Sequence, residues 1–171
     1  MKIRRAVVED AAHIAKVHVD SWQQSYKGLI DSAYLNNMSV REREERWKEW
    51  LSQGPSHIVF VLEDKNNILC GFISGGNARS HDSFDSEVYA FYLVKSVQRK
   101  GYGTQLLKKF SEALLTNEKK SLIVWVLKDN PAKRVYVSLG GIKIDEETIS
   151  IGDQQLAEEC FGWENLSLIM K

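Results

Sequence analysis

The run Ser121-Leu122-Ile123-Val124-Trp125-Val126-Leu127 constrains the fold more than any other stretch of the chain. After the serine it shows no alternation of polar and apolar residues, so it does not suit a sheet with one wet face. It reads as a central strand buried on both faces, which requires helices above and below the sheet. The flanking segments supply them. Ala11, Ile14, Val17 and Trp22 recur at near-helical spacing behind Glu9 and Asp10, predicting a first helix over about 8–24. Ser39-Val40-Arg41-Glu42 has the form of a capping box. Behind it Val40, Trp47, Trp50 and Leu51 share a face of a second helix, which Gly54-Pro55 ends. Leu106, Leu107, Phe110 and Leu114 predict an amphipathic helix over 103–115.

Strands fill the intervals. Lys2–Arg5 suits a sheet edge, and the runs 57–62 and 68–74 form a hairpin about the turn Asp64–Asn67. A polar loop over 75–86 leads into a strand at 87–94. Residues 131–139 form a short helix, and 142–151 and 155–163 close the chain as a hairpin about Gly152-Asp153. The order is β-α-α-β-β-β-α-β-α-β-β, an α/β arrangement with one sheet. At 171 residues, with no linker or repeat, it is a single domain, 1–171.

Charge and composition exclude several classes. Lys plus Arg and Asp plus Glu each number 23, so no excess of cations is available to displace counterions from nucleic acid. Cys70 and Cys160 belong to no CxxC pair and have no histidine at metal-ligand spacing, so they read as reduced thiols and no metal is expected. The N-terminus runs straight into charge, and no apolar run approaches the roughly 20 residues of a membrane span. A cytoplasmic location without membrane attachment is the expectation.

Gln98-Arg99-Lys100-Gly101-Tyr102-Gly103 joins the strand at 87–94 to the amphipathic helix. A helix start offers unpaired N–H groups and partial positive charge, and glycine lets an anion approach the backbone. On spacing alone this is either a structural turn or an anion site. It is neither a P-loop nor a dinucleotide fingerprint, since Leu106 stands where the third glycine would fall. Asn130-Pro131 starts a helix well by itself, and Tyr136 on its apolar face with Ala132, Val135 and Leu139 can be simply a core aromatic.

The stretch Leu93 to Leu107 resembles the acetyl-CoA signature of the GNAT superfamily of N-acetyltransferases, Q/R-x-x-G-x-G/A after a strand. Asn130 to Gly141 resembles that family's later motif, N-x-x-A-x-x-F-Y-x-x-x-G-F, with Val135 and Gly141 in place of two phenylalanines. The resemblance implies a single mixed, mostly antiparallel sheet flanked by helices. It implies that acetyl-CoA is the acetyl donor, its pyrophosphate held by backbone amides across Gln98, Arg99, Lys100, Gly101, Tyr102, Gly103 and Thr104. Leu93 and Val94 would pair with its pantetheine arm, and Asn130 would contact that arm. Tyr136 would protonate the departing thiolate.

The implied activity is transfer of acetyl to a primary amine of a small molecule or peptide, by direct attack in a ternary complex. A non-catalytic acyl-CoA sensor on the same scaffold is the alternative. An amine of pKa near 10.4 costs roughly 4–5 kcal/mol to present unprotonated at pH 7, so a general base helps. Glu87, at the start of the strand before the turn, is the candidate, and a polar residue at a strand edge is its plain reading. Trp22 and Tyr26 would line the acceptor pocket, where aromatic rings suit an amine, or pack in the core. His13, His18, His57 and His81 read as surface or structural residues, with His81 in the loop nearest the substrate. No acidic cluster in the pocket-forming segments marks a polyamine. A homodimer is compatible, since many relatives pair.

Overall fold

The computed structural model describes all 171 residues. Seven strands form one sheet in the order β1-β2-β3-β4-β5-β7-β6. The strands are β1 (Lys2–Arg5), β2 (Ile58–Glu63), β3 (Leu69–Asn77), β4 (Ser86–Leu93), β5 (Leu122–Leu127), β6 (Ile142–Ile151) and β7 (Gln154–Trp163). All neighbours are antiparallel except β4 and β5. The helices are α1 (Ala11–Ser25), α2 (Ser32–Asn36), α3 (Val40–Leu51), α4 (Tyr102–Thr116) and α5 (Lys133–Ser138). No helix is long and apolar enough to cross a membrane.

The sheet is buried on both faces at its centre. On one side α4 lays Leu106, Leu107, Phe110 and Leu114 against Ile58, Phe60 and Leu62 of β2 and Leu122 and Val124 of β5. On the other, Ile14 and Val17 of α1 and Trp47 of α3 meet Val59, Val61 and Phe72. The alternation of strand side chains divides β2 between the two cores. Ser39 caps α3 as the sequence predicts, its Oγ accepting from Glu42 N–H at 3.2 Å. Arg4 ties β1 to the α1 entry, donating to Asp10 at 2.7 and 2.9 Å and to Glu63 at 2.8 Å.

Three details differ from the sequence expectation. A short helix, α2, lies between α1 and α3, started by the Asp31 side chain, which accepts from Ala33 N–H. Five residues are too few to show a helical period. Strand β3 continues to Asn77, through glycines that carry no apolar pattern. Trp125 within β5 is only half-buried, because a loop rather than a helix covers it.

His18 shows how complete the burial under α1 is. Its Nδ1 accepts from the Trp47 indole N–H at 3.2 Å, and its ring stacks on Tyr92. Burial, with Arg43 nearby, pushes its pKa down to about 3, so it is a neutral core residue. His57 is likewise structural, its two ring nitrogens meeting the Trp50 carbonyl and Ser74 Oγ.

Candidate active site

Strands β4 and β5 pair over only three positions, Ser86 with Leu122, Glu87 with Ile123 and Val88 with Val124. The next residue of β4, Tyr89, is an extra residue against β3, where Gly75 pairs with Val88 and Ser74 with Ala90. Such a bulge bends its strand. Beyond it β4 pairs only with β3 and β5 only with β7, so a gap opens between their C-terminal halves. Val94 N–H donates to the Cys70 carbonyl on β3 at 2.9 Å. The alternation of the antiparallel ladder therefore turns the polar groups of Phe91 and Leu93 away from β3 and toward the gap.

The glycine turn lies at the end of this edge. Gln98 N–H closes a short turn on the Lys95 carbonyl, and Gln105 N–H opens the α4 ladder on the Gly101 carbonyl. Between them the amides of Arg99, Lys100, Gly101, Tyr102, Gly103 and Thr104 donate to no backbone carbonyl and to no side chain. Arg99 and Gly101 take left-handed backbone angles, φ +57° and +83°. A side chain at Gly101 would be strained by that angle, although nothing of the chain lies within 4 Å of where its Cβ would be. Unpaired amides, open space and a helix N-terminus together fit a diphosphate. Side chains serve the loop itself: Gln98 Nε2 donates to the Leu93 carbonyl and Lys100 Nζ to the Ser96 carbonyl, each at 2.8 Å.

Across the gap, Asn130 Oδ1 accepts from Ala132 N–H at 2.9 Å and shapes the entry to α5, while its Nδ2 lies 3.4 Å from the Tyr26 hydroxyl. Tyr26, Tyr92 and Tyr136 converge here from the C-terminal cap of α1, from β4 and from α5. Burial, with the neighbouring Tyr26, pushes the Tyr136 hydroxyl well above its ordinary range, and Tyr92 is raised in the same way. Trp22 packs edge-on to Tyr26 at 5.0 Å, so the two aromatics of α1 face this end of the cleft while joining a small core with Ile30, Leu35 and Leu127. The departure at Gly141 also has a reason. A Cβ there would meet the Trp163 ring at 2.8 Å, so Trp163 fills the space, with its indole N–H on the Leu139 carbonyl.

Glu87 is 4% exposed and faces the α1 side of the sheet. Its Oε2 accepts from Arg79 N–H at 2.8 Å and lies 3.4 Å from Ser80 Oγ, and its Oε1 accepts from the Arg79 guanidinium at 3.0 Å. Arg79 also lies over the Tyr89 ring at 3.8 Å. Trp125 Nε1 holds Ser80 Oγ at 2.9 Å, and His81 stacks on Trp125 while its Nε2 sits 3.3 Å from Asp145. The loop carrying Arg79 and His81 is thus fastened over one end of the α1 face.

The rest of that face holds residues absent from the sequence reading. Cross-strand pairs of Asp145 with Cys160 and Glu147 with Glu158 bring three carboxylates of β6 and β7 to the side occupied by Glu87. This corrects the expectation that no acidic cluster lines the cleft. Burial, then hydrogen bonding and charge from Glu147, then the charge of Glu87, push Glu158 up to about 7. Burial and these carboxylates, Asp145 foremost, push the Cys160 thiol up to about 12, making it inert. The signal was available: a two-residue turn at Gly152-Asp153 sets Glu147 opposite Glu158.

Comparison with known proteins gives one consistent answer. The family pattern described as FR47-like protein matches residues 77–150. An uncharacterised N-acetyltransferase of Bacillus subtilis, YuaI, is 38% identical over 168 residues, 98% of this chain and 95% of the relative. An uncharacterised N-acetyltransferase of Archaeoglobus fulgidus is 27% identical over 143 residues, 81% of this chain and 90% of the relative. Among solved structures, yncA from Salmonella typhimurium, assigned as an acetyltransferase and solved with its cofactor acetyl-CoA, superposes with a TM-score of 0.74 at 22% identity, covering 97% of this chain and 94% of that one. The PaiA N-acetyltransferase of Thermoplasma acidophilum in complex with coenzyme A gives 0.70 at 17% identity, covering 92% and 96%. The chain belongs to the GNAT superfamily of N-acetyltransferases.

Proposed function

We propose that this protein transfers the acetyl group of acetyl-CoA to a primary amine of a small molecule or peptide, by direct attack with both substrates bound. The run of six unpaired amides at Arg99–Thr104, beside a strand edge whose polar groups face an open gap, carries this reading. In it, those amides hold the pyrophosphate, and Phe91 and Leu93 line the pantetheine arm, whereas the Val94 amide, expected to pair with that arm, is taken by the Cys70 carbonyl. Bound there, the donor supplies an activated thioester at the gap. The chain's contribution is then positioning and proton management. Tyr136, held protonated by its burial, suits delivery of a proton to the leaving sulfur. Trp22, Tyr26 and Trp125 offer aromatic walls to the amine. Direct transfer is favoured over a covalent acyl-enzyme, because the one cysteine of the acceptor face is held protonated.

Release of free thiol from acetyl-CoA tests this, measured with a diamine, an aromatic monoamine, an amino acid and a lysine-bearing peptide. Turnover with at least one amine is expected, and Tyr136→Phe should retain acetyl-CoA binding while turnover falls about a hundredfold. Tight acetyl-CoA binding with no thiol release on any amine would make the chain an acyl-CoA sensor.

A further inference from the structure

We propose that Glu158 takes the proton from the attacking amine, and that Glu87 instead fastens the loop that walls the acceptor cleft. This rests on the acetyltransferase reading above and assigns a role within it.

The case begins with what each carboxylate already holds. Glu87 accepts from an amide, a guanidinium and a hydroxyl, spread over both oxygens. Protonating it would leave the Arg79 guanidinium without its partner and would loosen the loop. A group so committed is a good anchor for that loop. Glu158 is half-buried and forms no ion pair. The nearby cations are all engaged on the opposite face of the sheet: Lys128 and Lys143 bond Glu146, and Lys133 and Lys143 bond Glu159. The cations on the face of Glu158 are Arg79, which Glu87 holds, and Arg43 of α3, which lies near His18 and Tyr92.

Position agrees with this. Glu158 lies opposite Leu127, the last residue of β5, where that strand borders the gap. Its charge is felt by the Tyr26 hydroxyl, which lies 3.4 Å from Asn130 at the same end. The groups facing Glu158 are Glu147 and Asp145 from β6, Glu87 from β4, Tyr26 from α1 and Cys160 on its own strand. Burial, then the hydrogen bond and charge of Glu147 and the charge of Glu87, raise its pKa to about 7, matched to proton exchange near neutrality.

The protons balance. Glu158 takes one from the acceptor ammonium and passes it to solvent. The freed lone pair forms the N–C bond as the C–S bond breaks with its electrons on sulfur. The second nitrogen proton leaves through Glu158 and replaces the one that Tyr136 gives to sulfur, so the thiol is neutral and one proton is released overall.

The test is kcat/KM against pH with the fastest amine of the panel, for the parent, Glu158→Gln, Glu87→Gln and Glu147→Gln, with acetyl-CoA affinity and melting temperature measured alongside. The parent should lose activity below about pH 7. Glu158→Gln should lose that limb and about a hundredfold in kcat/KM with acetyl-CoA affinity unchanged. Glu147→Gln should move the limb to lower pH. Glu87→Gln should lower the melting temperature and raise KM for the amine, yet keep the limb. An active parent whose limb survives in Glu158→Gln, or vanishes in Glu87→Gln alone, overturns this assignment and leaves the acetyltransferase reading standing. A parent that turns over no amine overturns both.

Discussion

The donor side of the cleft is contiguous and the acceptor side is gathered. Residues 98–104, with the end of β4 just before them, present main-chain groups to one place. The acceptor side draws on the end of α1, the loop carrying Arg79 and His81, one face of β5, and the hairpin of β6 and β7. Backbone donors tolerate most side chains, so Gln98 and Lys100 are free to brace their own loop. Side-chain recognition has no such tolerance. The same fold can thus keep one donor while its acceptor changes with a few substitutions on β6, β7 and the loop.

The sharpest way to break this contrast is at Gly101. In Gly101→Val a β-branched side chain must adopt φ near +83° in front of the unpaired amides. Left-handed strain of roughly 1–2 kcal/mol and lost charge-assisted hydrogen bonds should together weaken acetyl-CoA binding about a hundredfold by calorimetry. The pH limb assigned to Glu158 should persist in whatever turnover remains. A variant that binds acetyl-CoA like the parent would show that the amides do not hold the donor.

A smaller effect probes the acceptor side without any ligand. Glu158 has a folded pKa of about 7, raised above its ordinary 4.5. A carboxyl raised on folding binds its proton more tightly in the folded chain. Its stabilisation is complete below about pH 4.5 and is lost as pH rises through 7. Glu158→Gln lacks this loss, so its melting temperature relative to the parent should climb between pH 5 and 7.5 and then level off. Solvent screening at a half-exposed site holds the gain to about 2 °C. The carboxyls held low, Asp10 and Asp85 among them, are already ionised across this window. The lowered His57 contributes equally to both proteins. A pH-independent difference would mean that Glu147 and Glu87 do not act on Glu158.

The same contrast governs what the sequence disclosed. Helices α1, α3 and α4 follow from repeats of Ile14 and Val17, of Trp47 and Trp50, and of Leu106 and Phe110, and each is where its period puts it. The glycine turn is legible because strand, turn and helix start are neighbours in the chain. Glu158 is not, because alternation in β7 reads as a wet face until the order β4-β5-β7-β6 covers it. Arg79 was likewise one residue of a polar loop. Its bonds to Glu87, with Trp125 holding the neighbouring Ser80, exist only once the loop folds back over the sheet. Pairing across the Gly152-Asp153 turn was accessible from spacing and would have set Glu147 against Glu158.

The claim beneath all of this is that main-chain amides of residues 99–104 hold the donor, independently of the acceptor hairpin. Amide hydrogen exchange with and without saturating acetyl-CoA tests it directly. Exchange in the peptide spanning 99–104 should slow about tenfold or more, together with the end of β4, while residues of β6 and β7 exchange as before. Protection centred on β6 and β7, with 99–104 unchanged, would contradict it.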